Sequence, residues 1–267
     1  MAEKFLYKRE VYEIQGHIYA VRNELGAGWS EHIYHHALVR RLKDAGVLVE
    51  SKPRKALRHR GQTVHIFEPD LIAWRKIILE LKVLPYQTSF PSEHIAQLLH
   101  YLKFYSMSLG LLVNLAPAKV RTRRIIWEEP RLRIRDNWEA AVLFGDNDSL
   151  AQRLKSILIF LGETFGLGYS DAIYRRLLLI ELAHQGMSFQ KDVEVPARWQ
   201  GKTIALHRTP FIAVEKTCLI HLTALPRSNA QYDLTRMHSY LKNLGFPFGI
   251  LANFSPRQLQ LNLILPT

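Results

Sequence analysis

The sequence predicts an α/β protein built from two tandem copies of one unit, each a mixed central β-sheet flanked by α-helices. Three observations predict it. The stretch Gly26-Ala-Gly-Trp-Ser-Glu-His-Ile-Tyr34 returns as Gly166-Leu-Gly-Tyr-Ser-Asp-Ala-Ile-Tyr174, a shift of 140 positions. The same shift relates Gly46 to Gly186 and Gly61 to Gly201; after small slips Tyr101-Leu-Lys103 matches Tyr240-Leu-Lys242, and Gly110-Leu-Leu-Val-Asn114 matches Gly249-Ile-Leu-Ala-Asn253. Matches kept in order over most of each half are the mark of a duplicated unit. Within each half, stretches of helical periodicity alternate with short β-rich runs, which is the pattern of an α/β layer fold. Finally, 267 residues that are 48% hydrophobic suffice for two cores of ordinary domain size and exclude a disordered chain.

In the first copy, Glu10 to Leu25 has helical periodicity, and Gly26 to Gly28 breaks it. Ser30 can cap a second helix running to Ala45, where Gly46 stops it. Val47 to Leu57, Thr63 to Ala73 and Ile77 to Leu84 are β-rich runs separated by short turns, read as a three-strand meander. Ser92 caps a helix through Met107, and Leu109 to Leu115 and Arg124 to Trp127 read as further strands. The two copies are expected to span residues 1–132 and 140–267, joined through the charged stretch Glu128 to Asp136 and the polar Gly145 to Ser149.

A formal net charge of +12 points to a polyanionic partner, because cations that neutralise phosphates release condensed counterions. Cys218 is the single cysteine, so an intrachain disulfide, a cysteine-based zinc site and a C-x-x-C redox pair are excluded, as expected in a reducing compartment. The start MAEKFLYKREVYEIQG has no apolar core of an export signal, and no segment offers ~18 uninterrupted apolar residues. A cytoplasmic protein without a membrane partner is the expectation. Neither G-x-G-x-x-G, G-x-x-x-x-G-K-[ST] nor G-x-S-x-G occurs.

The anomaly lies in Glu68-Pro-Asp-Leu-Ile-Ala-Trp-Arg-Lys-Ile-Ile-Leu-Glu-Leu-Lys82, where Asp70, Glu80 and Lys82 interrupt an apolar run. Side chains alternate faces along a strand, so Glu80 and Lys82 point one way while Leu79, Leu81 and Val83 point the other. If Trp74-Arg75-Lys76 is a three-residue turn, Ala73 pairs with Ile77 and Asp70 falls opposite Glu80; a slip of one residue would put Asp70 on the wrong face. Two carboxylates that close repel unless a cation separates them, and hard oxygen ligands suit Mg²⁺ or Mn²⁺. A lysine beside such an ion can orient a water or stabilise a developing oxyanion. The competing reading is a salt-bridged strand pair at a sheet edge. Glu31 opens the helix after the glycines, and Gln97 and Tyr101, four apart, share one helix face.

Taken together, Glu31 and Tyr34 in G-x-x-x-x-E-x-x-Y, Pro69-Asp70, E-x-K at Glu80 to Lys82, and Gln97-x-x-x-Tyr101 followed by L-G-L-L-V-N resemble the GxxExxY family of the PD-(D/E)XK nuclease-like superfamily. The similarity covers nearly all of residues 10–127. It implies a restriction-endonuclease-like core in each copy. It also implies that Asp70 and Glu80 hold Mg²⁺ (or Mn²⁺) with Glu31 as a further ligand, that Lys82 assists the attacking water, and that Gln97 and Tyr101 complete the site.

In the second copy, His207 to Leu225 covers the same two strands and keeps the apolar positions. Phe211 or Pro210 stands at the place of Asp70, His221 at Glu80, Thr223 at Lys82 and Arg236 at Gln97, while Asp171 and Tyr240 remain. The unit can therefore be specified without the charged set. The first copy is expected to be catalytic. The second is expected to be a degenerate pseudo-nuclease that adds binding surface or packs on the first as a pseudo-dimer partner. The functional expectation is Mg²⁺-dependent hydrolysis of nucleic-acid phosphodiesters, with DNA as the expected substrate; the alternative is a non-catalytic nucleic-acid-binding or scaffold protein with a relic site. Two further clusters point less directly to function. His32, His35 and His36 crowd one helix, and His32 with His36 has the spacing of a metal pair without an evident third ligand; the alternative is an ordinary polar helix face. Arg121, Arg123 and Arg124, with Arg131, Arg133 and Arg135, either track a nucleic-acid backbone or belong to a solvated strand edge and linker.

Overall fold

The computed structural model describes residues 6–138, 143, 145–226 and 230–266; the expected starts of the two copies, at residues 1 and 140, lie outside them. The chain forms two compact units, residues 1–57 with 65–128 and residues 58–64 with 129–267. No helix of the described residues is long and apolar enough to cross a membrane.

The first copy runs α1 (Lys8–Leu25), α2 (Glu31–Asp44), β1 (Val49–Ser51), β2 (Lys55–His59), β3 (Gln62–Phe67), β4 (Leu71–Ala73), β5 (Ile77–Lys82), α3 (Ser92–Phe104), β6 (Leu109–Asn114) and β7 (Arg121–Ile126). After β8 (Ile134–Asp136) the same order returns. It comprises α4 (Asp146–Phe165), α5 (Asp171–His184), β9 (Phe189–Lys191), β10 (Glu194–Trp199), β11 (Lys202–Arg208), β12 (Ile212–Val214), β13 (Cys218–Thr223), α6 (Ala230–Leu244), β14 (Phe248–Phe254) and β15 (Leu259–Ile264). The sheets have the orders β1-β4-β5-β6-β7 and β9-β12-β13-β14-β15-β8. Each is mixed, with β5–β6 and β13–β14 parallel and their hairpins antiparallel. The α/β architecture in two tandem units is as the sequence predicts.

Two details differ. The three-strand meander is not formed, because the first and second β-rich runs each break in two. Lys52 adopts a left-handed φ of 47° and Pro53 follows, so Val49–Ser51 stays in the main sheet while β2 and β3 make a separate two-stranded ribbon. The second copy breaks at the same point, at Asp192 with φ of 56° and no proline after it, so the left-handed residue is the feature the two bends share. The charged connector also contributes structure: its Ile134–Asp136 pairs in parallel with β15 at the edge of the second sheet.

The faces of the first sheet are set by the two-residue period. Leu79, Leu81, Leu111 and Val113 pack with Ile14 and Ile18 of α1 and Leu38 and Leu42 of α2 in one core. The opposite face receives α3. There Gly110 sits under Leu98, close enough that a Cβ would lie 2.7 Å from a Leu98 methyl. Its counterpart Gly249 lies against Met237 of α6 in the same way. In both copies a glycine lets the helix lie close on the sheet.

The glycine stretch before α2 is likewise shared. Tyr34 and Tyr174 are fully buried, and their hydroxyls donate to the carbonyls of Gly26 (2.7 Å) and Gly166 (2.6 Å). Gly26 and Gly166 have φ of 77° and 63°, which a β-carbon would strain. The G and Y of the motif thus build the turn that aims the following helix. Ser30 occupies the N-cap position of α2, but no side-chain hydrogen bond caps the helix. Ser92 is the first residue of α3, with Pro91 at its N-cap.

Candidate active site

The β4–β5 hairpin sets the site. Ala73 pairs with Ile77, Ile72 with Ile78 and Leu71 with Leu79, so the next pair outward brings Asp70 beside Glu80. The turn is held by Lys76 N–H donating to the Ala73 carbonyl at 2.9 Å, with Trp74 and Arg75 at φ of 50° and 56°. Left-handed central residues match the twist of a tight hairpin. The second copy builds the same turn at Glu215 and Lys216, with φ of 52° and 53°. The register required by the sequence reading is therefore the one observed.

Asp70 and Glu80 are both buried, and Lys82 is nearly so, with 12% of its side chain exposed. The Lys82 ammonium donates to Glu80 Oε1 at 2.8 Å and stands 4.0 Å from Glu31 Oε2 at the start of α2. Asp70 Oδ2 accepts from the Leu81 N–H at 2.8 Å, and the Asp70 N–H lies 3.5 Å from Glu80 Oε2. On α3, Gln97 Nε2 donates to the Tyr101 hydroxyl at 2.9 Å. Asp70, Glu80, Lys82 and Glu31 thus form one cluster. Tyr101 with its partner Gln97 borders it, for Glu80 and Asp70 both act on the Tyr101 phenol.

The electrostatics record how costly the cluster is. Burial, and then the neighbouring Asp70, push the Glu80 carboxyl up to about 7 against the pull of Lys82. Burial also raises Glu31, with Lys82 opposing and Asp70 adding to the rise. Burial works against the charge of Lys82, but Glu80, Glu31 and Asp70 outweigh it and raise its pKa. Tyr101 is pushed up to about 12, first by burial and then by Glu80. Lys82 is therefore an ammonium throughout the physiological range, able to donate protons in hydrogen bonds and not to accept one.

One neighbour was read from the sequence only as part of a histidine-rich helix. His35, buried on α2, holds the Asp70 backbone carbonyl with Nε2 at 3.1 Å and lies 3.3 Å from the Ser51 hydroxyl. Its pKa is lowered, chiefly by burial. A histidine on a helix gives no sequence signal for a contact across to a strand end. His32 and His36 face one another with ring centroids 4.2 Å apart. Among the described residues no three metal-ligating side chains close on one point; this holds for those histidines and also for Asp70, Glu80 and Glu31, where Glu31 lies toward Lys82.

Superimposing the hairpin registers places Phe211 at the position of Asp70, since Ile212 pairs with Ile220 and the next pair outward is Phe211 with His221. Those rings stack at 4.4 Å with an interplanar angle of 9°. Arg236 lies 5.1 Å over Phe211 and donates to His221 Nε2 at 2.9 Å and to Asp233 Oδ1 at 3.1 Å. Burial, then Arg236, lowers His221 to about 4, so the ring is neutral and accepts from the arginine.

The family model of the PD-(D/E)XK nuclease superfamily matches the chain twice, over residues 8–125 and 148–263. The chain belongs to the PD-(D/E)XK nuclease superfamily. Its two matched segments are the two repeats, so both copies carry the superfamily's fold. No curated protein matches this superfamily member. Among solved structures, the crystal structure of SSO0001 aligns at 25% identity over 45% of this chain and 59% of that one, with a TM-score of 0.29.

Asp70 and Glu80 are adjacent oxygen donors, and the rise of Glu80 to about 7 is the response of a buried carboxyl whose neighbour is anionic. An ion between them would remove that repulsion, so this pair fits a hard cation. Glu31 leans on Lys82 and is the more distant member of the set.

Proposed function

We propose that the first copy is a divalent-metal-dependent nuclease that hydrolyses phosphodiester bonds of nucleic acid, with DNA the expected substrate. In this reading the second copy is a non-catalytic relative that adds binding surface. One observation carries the reading: two buried carboxylates and a largely buried ammonium meet at the end of a hairpin, while the second copy makes the same hairpin with none of the three.

Asp70 and Glu80 would hold Mg²⁺ or Mn²⁺, with Glu31 the candidate for a further ligand. A divalent ion there supplies Lewis acidity to a phosphoryl oxygen and lowers the pKa of a nearby water. The protein's own contributions follow from the geometry. Glu80 fixes the Lys82 ammonium through the 2.8 Å ion pair, and that cation is placed to orient an attacking water and to offset charge developing on the phosphoryl oxygens. The Leu81 N–H holds Asp70 Oδ2, leaving its other oxygen for an ion. Gln97 and Tyr101 border the cluster as hydrogen-bonding groups for the substrate. The raised pKa of Glu80 makes ion binding a proton-releasing step below about pH 7.

The test is a cleavage assay on DNA and RNA of the same sequence with Mg²⁺, Mn²⁺ or EDTA, run beside Asp70→Asn. Cleavage that needs the metal and disappears in Asp70→Asn supports the proposal. Binding without cleavage under every condition would mark the site as a relic on a nucleic-acid-binding protein.

A further inference from the structure

The sheet register extends the cluster toward its edge. Glu80 pairs with Leu112 and Leu112 with Arg123; Lys82 pairs with Asn114 and Asn114 with Arg121. Residues directly opposite on neighbouring strands share a face, so Arg121 and Arg123 of edge strand β7 lie on the same face as Glu80 and Lys82. At about 4.8 Å per strand, Arg123 is about 10 Å from Glu80 along the row.

An open cavity of about 510 Å³ adjoins these arginines, walled by Gln87, Thr88 and Phe90 of the loop after E-x-K and floored by Asn114. The two arginines have different parts in it. Arg121 donates to the Gln87 carbonyl at 3.2 Å and to the Thr88 carbonyl, bracing the loop against the strand. Arg123 is exposed on the cavity wall.

The second copy supplies the control. Its rows read His221–Leu251–Asn262 and Thr223–Asn253–Gln260, so Asn262 and Gln260 take the places of Arg123 and Arg121. The strand and its pairing with the preceding strand persist without either guanidinium, with β8 covering the far side of β15 where β7 is an open edge. Asn114 and Asn253 are unchanged, and each ties down the segment after its strand, Asn114 by bonding Leu84 N–H and carbonyl at 2.9 Å and Asn253 by bonding Leu225 at 3.0 and 3.1 Å. Residues that build the fold are present in both copies; the two arginines vary together with the carboxylates and the lysine.

We propose that Arg123, in the cavity that Arg121 holds open, is the subsite for a backbone phosphate a few nucleotides from the scissile bond on the same strand. This rests on the nuclease reading of Asp70, Glu80 and Lys82. The substrate class it adds is a polynucleotide long enough to reach from the carboxylates to the sheet edge, at about 3.4 Å rise per nucleotide. A guanidinium grips phosphate oxygens with paired N–H donors, which neither asparagine nor glutamine replaces.

The experiment measures the full chain against fluorescein-labelled DNA, single-stranded and annealed to its complement, by anisotropy in EDTA across a salt series. Arg123→Asn, which installs the residue of the second copy, should weaken binding about tenfold and flatten the slope of log K against log salt by about one. Arg123→Lys should recover most of the loss. Arg40→Asn, the same charge change on exposed α2, should shift binding less than twofold. In the metal-supplemented assay Arg123→Asn should raise KM more than it lowers kcat. An unchanged affinity and slope in Arg123→Asn, or an equal loss in Arg40→Asn, overturns the subsite even if the protein cuts. If the wild-type chain never cuts, a selective loss in Arg123→Asn still supports the subsite, and it is the nuclease reading that falls.

Discussion

Glu80→Gln isolates the electrostatic strain at the centre of the site. The substitution keeps the shape of the side chain and removes its charge. Raising a carboxyl from 4.5 to about 7 means that its ionised form is destabilised on folding by about 3 kcal/mol, at about 1.4 kcal/mol per tenfold change in ionisation. The sign follows from the raised value. Below 4.5 the group is protonated in both states and carries no cost; the cost grows as pH rises from 4.5 to 7 and is complete above. Lys82 already acts within that value, pulling it down through the 2.8 Å ion pair, so a gain of up to about 3 kcal/mol is expected at about pH 8. At about 2–4 °C per kcal/mol that is a rise in Tm of up to roughly 6–12 °C in EDTA. Thermal melts followed by circular dichroism at about pH 5 and pH 8 would read it, with the gain vanishing at the lower pH. Added Mg²⁺ should raise the Tm of the wild type at pH 8 and leave Glu80→Gln unmoved, because the variant has one anionic donor fewer. A variant that melts below the wild type at pH 8 without metal, or by a margin independent of pH, would refute the reasoning.

Asp70→Asn should abolish metal-dependent cleavage with an unchanged circular dichroism spectrum, whereas Asp171→Ala should cut at the wild-type rate. Asn114→Ala and Asn253→Ala should each lower stability by about 1–2 kcal/mol in chemical denaturation, since each removes two hydrogen bonds to the part-buried backbone of the segment it ties. Gly110→Ala should cost about 1–3 kcal/mol by forcing α3 off the sheet at Leu98, and pairing it with Leu98→Ala should return part of that loss in a double-mutant cycle.

The parts of the fold legible in the sequence are those written in local periodicity. The helices, the β4–β5 hairpin and the repeat itself rest on apolar spacing and glycine placement, which act within a few residues. The β2–β3 ribbon was not legible, because a continuous β-rich run does not announce that Lys52 divides it between two sheets. Asp70, Glu80 and Lys82 could be brought together because two-residue alternation and one turn length fix a register. His35 could not, since its contact with the Asp70 carbonyl depends on how α2 lies on the sheet. Arg121 and Arg123 were visible as a basic stretch, but their face is set by the ladder to β6, two strands removed from the carboxylates.

The two copies also separate what the fold needs from what it tolerates. Burying Asp70, Glu80 and Lys82 side by side opposes folding, as the rise of Glu80 to about 7 records. The second copy shows a cheaper filling of the same space, a stacked Phe211–His221 pair with Arg236 laid over it. Replacing buried charges by well-packed groups is commonly neutral or stabilising, so a chain under pressure for stability alone has such a filling within reach of a few substitutions. Side chains that break the local rules of a core without helping it are expected where a site does something other than fold. On that argument the first hairpin keeps its carboxylates and ammonium for what they bind, and the arginines on the same face extend the reach of that binding to the edge of the sheet.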